Sequence, residues 1–118
     1  MLVNFKASNV DLTDDVRQYA ESKVDMLSKL LAGVEDENVS YDIELSKGKQ
    51  NSGETYRADI TVHAGSTRLH AVGHGESLNA AVDGAKDDLE RRMRREKGKD
   101  MTLMRRGKQA IKSMLRMD

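Results

Sequence analysis

Hydrophobic and polar residues alternate with period two over four stretches of the chain and recur with helical spacing over two. Val3, Phe5 and Ala7 alternate with Asn4 and Lys6, which predicts a strand at about 2–8. Asn9 and Asp11 are turn residues. Thr13 is placed to cap a helix whose first turn carries Asp14 and Asp15, where the helix dipole favours anions. Val16, Ala20, Val24, Leu27 and Leu31 form its apolar stripe, and Gly33 is the expected stop. After a polar turn over Glu35–Asn38, the residues Val39, Tyr41, Ile43 and Leu45 alternate with Ser40, Asp42 and Glu44, as in a half-buried strand. Residues 46–54 read as a long loop. Tyr56, Ala58, Ile60 and Val62 alternate again, and Ala64-Gly65-Ser66 makes a tight connection into a third antiparallel strand reaching about Val72. Gly73-His74-Gly75 is expected to break the chain, with Ser77 as the next cap. Leu78, Val82, Ala85, Leu89 and Met93 then follow one face of a long helix that Gly98 should weaken or end. The order β-α-β-β-β-α predicts an α+β domain of two layers, with two helices on one face of a four-stranded sheet. That domain is assigned to 1–97. Residues 98–118 form a basic, Met-rich tail, helical or disordered, in which Ile111, Met114 and Leu115 could line a short stripe.

A length of 118 residues suits one small core, and the absence of Cys excludes a disulfide framework, a Cys metal site and a Cys nucleophile. No apolar run approaches the ~20 residues of a membrane span, and M-L-V-N-F-K lacks a signal-peptide pattern. A soluble cytoplasmic protein, away from membranes, is expected.

Charge changes the picture most. The chain is formally neutral, but residues 1–85 hold 8 Lys/Arg against 14 Asp/Glu, and residues 86–118 hold 12 against 6. Within L-E-R-R-M-R-R-E-K-G-K (89–99) six of eleven residues are cationic. Such a dipolar chain calls for a polyanion at its basic end. Arg91, Arg92, Arg94 and Arg95, with Lys86 and Lys97, lie on the last helix outside its apolar stripe, and Lys99 follows in the basic tail. Lys23 and Lys29 on the first helix could extend the field into a groove between helices. The guanidiniums should repel one another, Glu90 and Glu96 being too few to neutralise them, so phosphate is the natural complement. With one Phe and three Tyr, most of them on strands, no stacking platform is expected. Binding should be backbone-directed, shape-based and salt-sensitive.

Other chemistry has little support. His63, His70 and His74 lack the spacing of a metal site, Asp14-Asp15 and Asp87-Asp88 read as helix-surface charge, and Gly73-His74-Gly75 is no phosphate loop. Neither catalysis, a metal, a cofactor nor a small-molecule substrate is expected.

Five short segments in fixed order then resemble the ribosome hibernation-promoting factor and ribosome-associated inhibitor family: N-V-D-L-T-D-D-V-R-Q-Y (9–19), L-S-K (45–47), A-D (58–59), S-L-N-A-A-V-D-G (77–84) and L-E-R-R-M-R-R (89–95). The likeness covers about 1–97. It implies binding to the small ribosomal subunit, in the channel for messenger and transfer RNA, with basic residues of both helices on ribosomal RNA and translation silenced when growth stops. By position, Arg17, Lys23 and Lys29 match basic sites of the family's first helix, and Arg91 and Arg95 those of its second. Arg92 and Arg94 are additional. Asn79 stands where an aromatic is usual and Asp88 where Lys is frequent. The resemblance is to a short form, since the separate C-terminal domain of the long form is lacking; a monomer is expected when the protein is free. A general double-stranded RNA-binding module and a protein-interaction regulator are the alternatives.

Overall fold

The structure, a computed structural model, describes residues 1–31, 34–50 and 53–99. Strand β1 (Leu2–Ser8), helix α1 (Asp14–Ser28), strands β2 (Val39–Gln50), β3 (Gly53–Ala64) and β4 (Thr67–Gly75), and helix α2 (Leu78–Lys99) follow in that order. The expected α+β class and element order are therefore found. The sheet order is β1-β2-β3-β4, with β1 parallel to β2 and the other pairs antiparallel. A parallel pair needs a crossover, and α1 supplies it.

Register sorts the residues between two faces. Val3, Tyr41, Val62 and Leu69 form one rung, and Phe5, Ile43, Ile60 and Ala71 the next but one. Ala20, Val24 and Leu27 of α1 and Ala81, Val82, Ala85, Leu89 and Met93 of α2 bury themselves on this face with Tyr41, Ile43, Leu45, Ala58 and Ile60. Asp42, Thr61 and His70 share the rung between and belong to the opposite, polar face.

The expected caps are present. Thr13 is extended (φ −80°, ψ 163°) and its Oγ1 accepts from the Val16 amide at 3.2 Å. Ser77 Oγ accepts from the Ala80 amide at 3.0 Å. Asn9 and Gly65 take positive φ (both 61°), which Asn tolerates and Gly adopts freely. Gly65 lets Ala64 pair with Thr67 across a two-residue turn.

Two expectations are corrected. The segment 46–54 is not a long loop: the β2–β3 ladder runs from Ser46↔Arg57 to Gln50↔Gly53. Ladder hydrogen bonds are made by the backbone, so pairing continues past the core where side chains no longer alternate. Gly73-His74-Gly75 does not break the chain either, because β4 runs through it. A Cβ on Gly73 would overlap the Ala81 carbonyl oxygen and the Ala85 amide nitrogen, so this glycine admits the backbone of α2 rather than a turn. Helix α2 runs to Lys99, one residue past the Gly98 at which it is expected to weaken or end.

Helix α1 ends at Ser28 and passes into a 3-10 turn, Lys29–Leu31, that keeps Leu31 in the core. Gly33 and the tail 100–118 lie outside the described residues. Among the described residues no helix is long and apolar enough to cross a membrane.

Candidate nucleic-acid interface

The arginines of α2 stand out from the core stripe. At about 100° per residue, Arg94, Arg91, Arg95 and Arg92 fan over roughly 160° of the side opposite Leu89 and Met93. All four are exposed. The side chains of Arg91, Arg92 and Arg94 are 68%, 48% and 62% accessible.

They are not left to repel one another, and here the sequence expectation is corrected. Asp88 accepts from Arg91 Nη2 through Oδ1 and from Arg92 Nε through Oδ2, each at 3.1 Å. Glu90 Oε1 accepts from Lys86 Nζ at 2.6 Å, and its Oε2 meets Arg94 Nε and Nη2 at 3.1 and 3.0 Å. The three- and four-residue spacings place each carboxylate between two cations. Hydrogen bonds from Lys86 and Arg94 hold the Glu90 carboxyl below its ordinary value. Desolvation raises the Asp88 carboxyl, but hydrogen bonds from Arg92 and Arg91 outweigh it and the net shift is downward. Arg95 has no carboxylate partner among the described residues. Because a guanidinium carries five donors, each paired arginine keeps several N–H groups for a phosphate.

Lys86 differs from the arginines. It is buried, bonded to Glu90 and 3.7 Å from Asp87, and its pKa is raised first by the Glu90 hydrogen bond. In the free protein its charge is thus paired with Glu90 and Asp87.

The first helix contributes unevenly. Lys23 does lie between the helices, but Asp83 of α2 meets it at 3.5 Å and the Tyr19 ring lies 5.0 Å below its ammonium. Asp83, which pattern reasoning passed over, also accepts 2.6 Å from Tyr19 Oη. Arg17 turns the other way and stacks over the Phe5 ring at 4.9 Å. Lys29 is exposed in the turn after α1. The fold thus gathers Lys23, Lys86 and Arg94 towards the helix pair, sets Arg91, Arg92 and Arg95 around the outer side of α2, and leaves Arg17 and Lys29 apart. The side chains of Lys97 and Lys99 lie outside the described residues.

The polar sheet face holds the histidines. His63 Nε2 lies 3.1 Å from Asp42 Oδ2, and His70 Nε2 3.1 Å from Asp59 Oδ1, while Arg57 grips Asp59 with two hydrogen bonds of 2.9 and 3.0 Å. A shallow trough of about 370 Å³ runs past Lys6, Asp42, Glu44, Asp59, Arg68 and His70. Its carboxylates each have a basic neighbour, and among the described residues no three His, Asp or Glu side chains converge on a metal-sized site.

Known proteins resemble this chain in sequence and in fold. The chain is 26% identical over 99 residues to the ribosome hibernation promoting factor of Escherichia coli K12, covering 84% of this chain and 96% of that protein. It is 26% identical over 100 residues to the ribosome hibernation promotion factor of Deinococcus radiodurans, covering 85% of this chain but 51% of the relative. The N-terminal domain of Thermus thermophilus Protein Y superposes with a TM-score of 0.62 at 26% identity, over 80% of this chain and 92% of that one. A ribosomal subunit interface protein from Coxiella burnetii shares the fold, with a TM-score of 0.66 at 18% identity over 84% of this chain and 100% of that one. The model of one family, described as sigma 54 modulation protein / S30EA ribosomal protein, matches residues 3–101, and the chain belongs to that family.

Proposed function

We propose that this protein is a ribosome hibernation factor. It docks on the small ribosomal subunit, in the channel that messenger and transfer RNA use, and silences translation in the cytoplasm during stationary phase or stress. The action is steric: a rigid α+β wedge occupies the channel, and no bond is made or broken. Arg91, Arg92, Arg94 and Arg95 contact ribosomal RNA phosphates. Lys97, Lys99, Arg17, Lys23 and Lys29 add to the field, and Lys86 holds the α2 surface in place.

The observation that carries this reading is the exposed arginine fan on α2, on a chain that belongs to this family. Phosphate contacts make affinity fall steeply with salt; six or more contacts imply a loss of roughly a thousandfold between low and moderate ionic strength.

Gradient sedimentation of stationary-phase lysate tests it. The protein co-migrates with small subunits or whole ribosomes, and charge reversal at the four arginines releases it. Free protein at the top of a low-salt gradient would sink the proposal. Excess plain RNA duplex, added as competitor, separates this reading from a general duplex-binding module, which the duplex would strip from ribosomes.

A further inference from the structure

We infer that Asp88 is a built-in counterion of the arginine fan: it occupies Arg91 and Arg92 in the free protein and opposes their capture by phosphate, so that it weakens RNA binding and speeds release. The inference rests on the reading that these arginines meet phosphates.

Both carboxylate oxygens of Asp88 are in use, one on each arginine. A phosphate docking on either guanidinium arrives within a few ångströms of a second anion. That distance is shorter than the Debye length of about 8–10 Å, so solvent ions do not screen the repulsion. The guanidiniums must then share two anions or swing away from Asp88, and either response lowers the net attraction. The pairs are exposed, and exposed ion pairs contribute little to folding. Their main effect is on the positive charge that α2 presents.

The neighbouring residue supplies the control. Asp87 carries the same charge one position earlier but among the described residues pairs only with Lys86, at 3.7 Å, and is 64% exposed. Glu90 is a poorer probe, since it also holds the buried Lys86.

Heparin, a generic polyanion, serves as the probe for wild type, Asp87→Asn and Asp88→Asn. Each variant gains one unit of net charge. Asp88→Asn binds heparin at least about threefold more tightly than Asp87→Asn at equal salt, and its plot of log affinity against log salt is steeper by about 1, the value for one added contact. Asp88→Ala gives the same sign, and unchanged thermal unfolding verifies the fold. Equal gains in Asp87→Asn and Asp88→Asn would reduce the effect to a diffuse field and overturn the inference. Weaker binding by Asp88→Asn would overturn it too, by making Asp88 a residue that positions the arginines. A parallel binding assay with purified small subunits bears on the hibernation reading alone, so the two can fail separately.

Discussion

Tyr19 Oη donates a 2.6 Å hydrogen bond to Asp83 Oδ1, tying the second turn of α1 to the second turn of α2. Lys23 closes the group from above, 3.5 Å from the same carboxylate oxygen and over the Tyr19 ring. One acidic side chain therefore links the two helices and pairs with a lysine that the sequence pattern offers to a ligand. The Asp83 hydrogen bond is also the main reason the Tyr19 phenol is raised above its ordinary value.

Tyr19→Phe removes the bond but keeps the ring under Lys23. A hydrogen bond to a charged acceptor is worth somewhat over 1 kcal/mol, and partial exposure reduces it, so about 1 kcal/mol of stability should be lost in urea unfolding. Polyanion affinity should change less than twofold. A variant as stable as wild type would show that water replaces the bond at no cost.

Gly73 and Gly48 should respond oppositely to alanine. At Gly73 the added methyl group meets the backbone of α2 at Ala81 and Ala85, which cannot move without shifting the helix off the sheet. Overpacking against backbone should cost about 3 kcal/mol or more. At Gly48 nothing lies within 4 Å of the added Cβ, and the substitution should be neutral or stabilise by up to about 1 kcal/mol through the unfolded chain. Circular dichroism melts of the two variants check both; similar melting temperatures would contradict the close approach of α2 to β4.

Tyr41 sets an alkaline limit. Burial pushes its phenol up to about 12, while its hydrogen bond with Ser28 pulls the other way. The folded state thus retains a proton that the unfolded chain releases near pH 10. The sign follows: this contribution is fully present below pH 10 and is lost as pH rises towards 12. Two pKa units correspond to about 2–3 kcal/mol. Denaturant titrations at pH 8, 10 and 11.5 should show wild type losing more stability than Tyr41→Phe; parallel losses would assign the alkaline limb to other groups.

The fold was readable in the sequence wherever side chains alternate against one core, as in Tyr41, Ile43 and Leu45, or recur on a helix, as in Val82, Ala85, Leu89 and Met93. It was unreadable where backbone decides. Beyond Lys47↔Tyr56 the β2–β3 ladder carries no apolar signal, and Gly73 looks like a breaker until the helix lying on it is seen. The candidate site was legible as charge density but not as charge pairing. Asp88 and Glu90 stand three and four residues from the arginines they hold, a spacing that could have identified them. Asp83 could not be found this way, because Tyr19 lies 64 residues away.

Those pairings rank the arginines. Arg91 and Arg92 share Asp88, and Arg94 shares Glu90 with Lys86, so a phosphate gains from each only what the carboxylate concedes. Arg95 is exposed and concedes nothing, having no carboxylate partner among the described residues. Removing a phosphate-binding cation should lower affinity uniformly across RNA sequences and reduce the salt slope by about 1. Arg95→Ala should therefore cost about tenfold in affinity for small subunits at low salt, and Arg91→Ala no more than about threefold, since Asp88 already offsets part of what Arg91 offers. Fluorescence titrations of the labelled variants against purified subunits at four salt concentrations measure both quantities. If Arg91→Ala lost as much as Arg95→Ala, with equal slopes, the internal carboxylates would play no part in what the arginines offer to RNA.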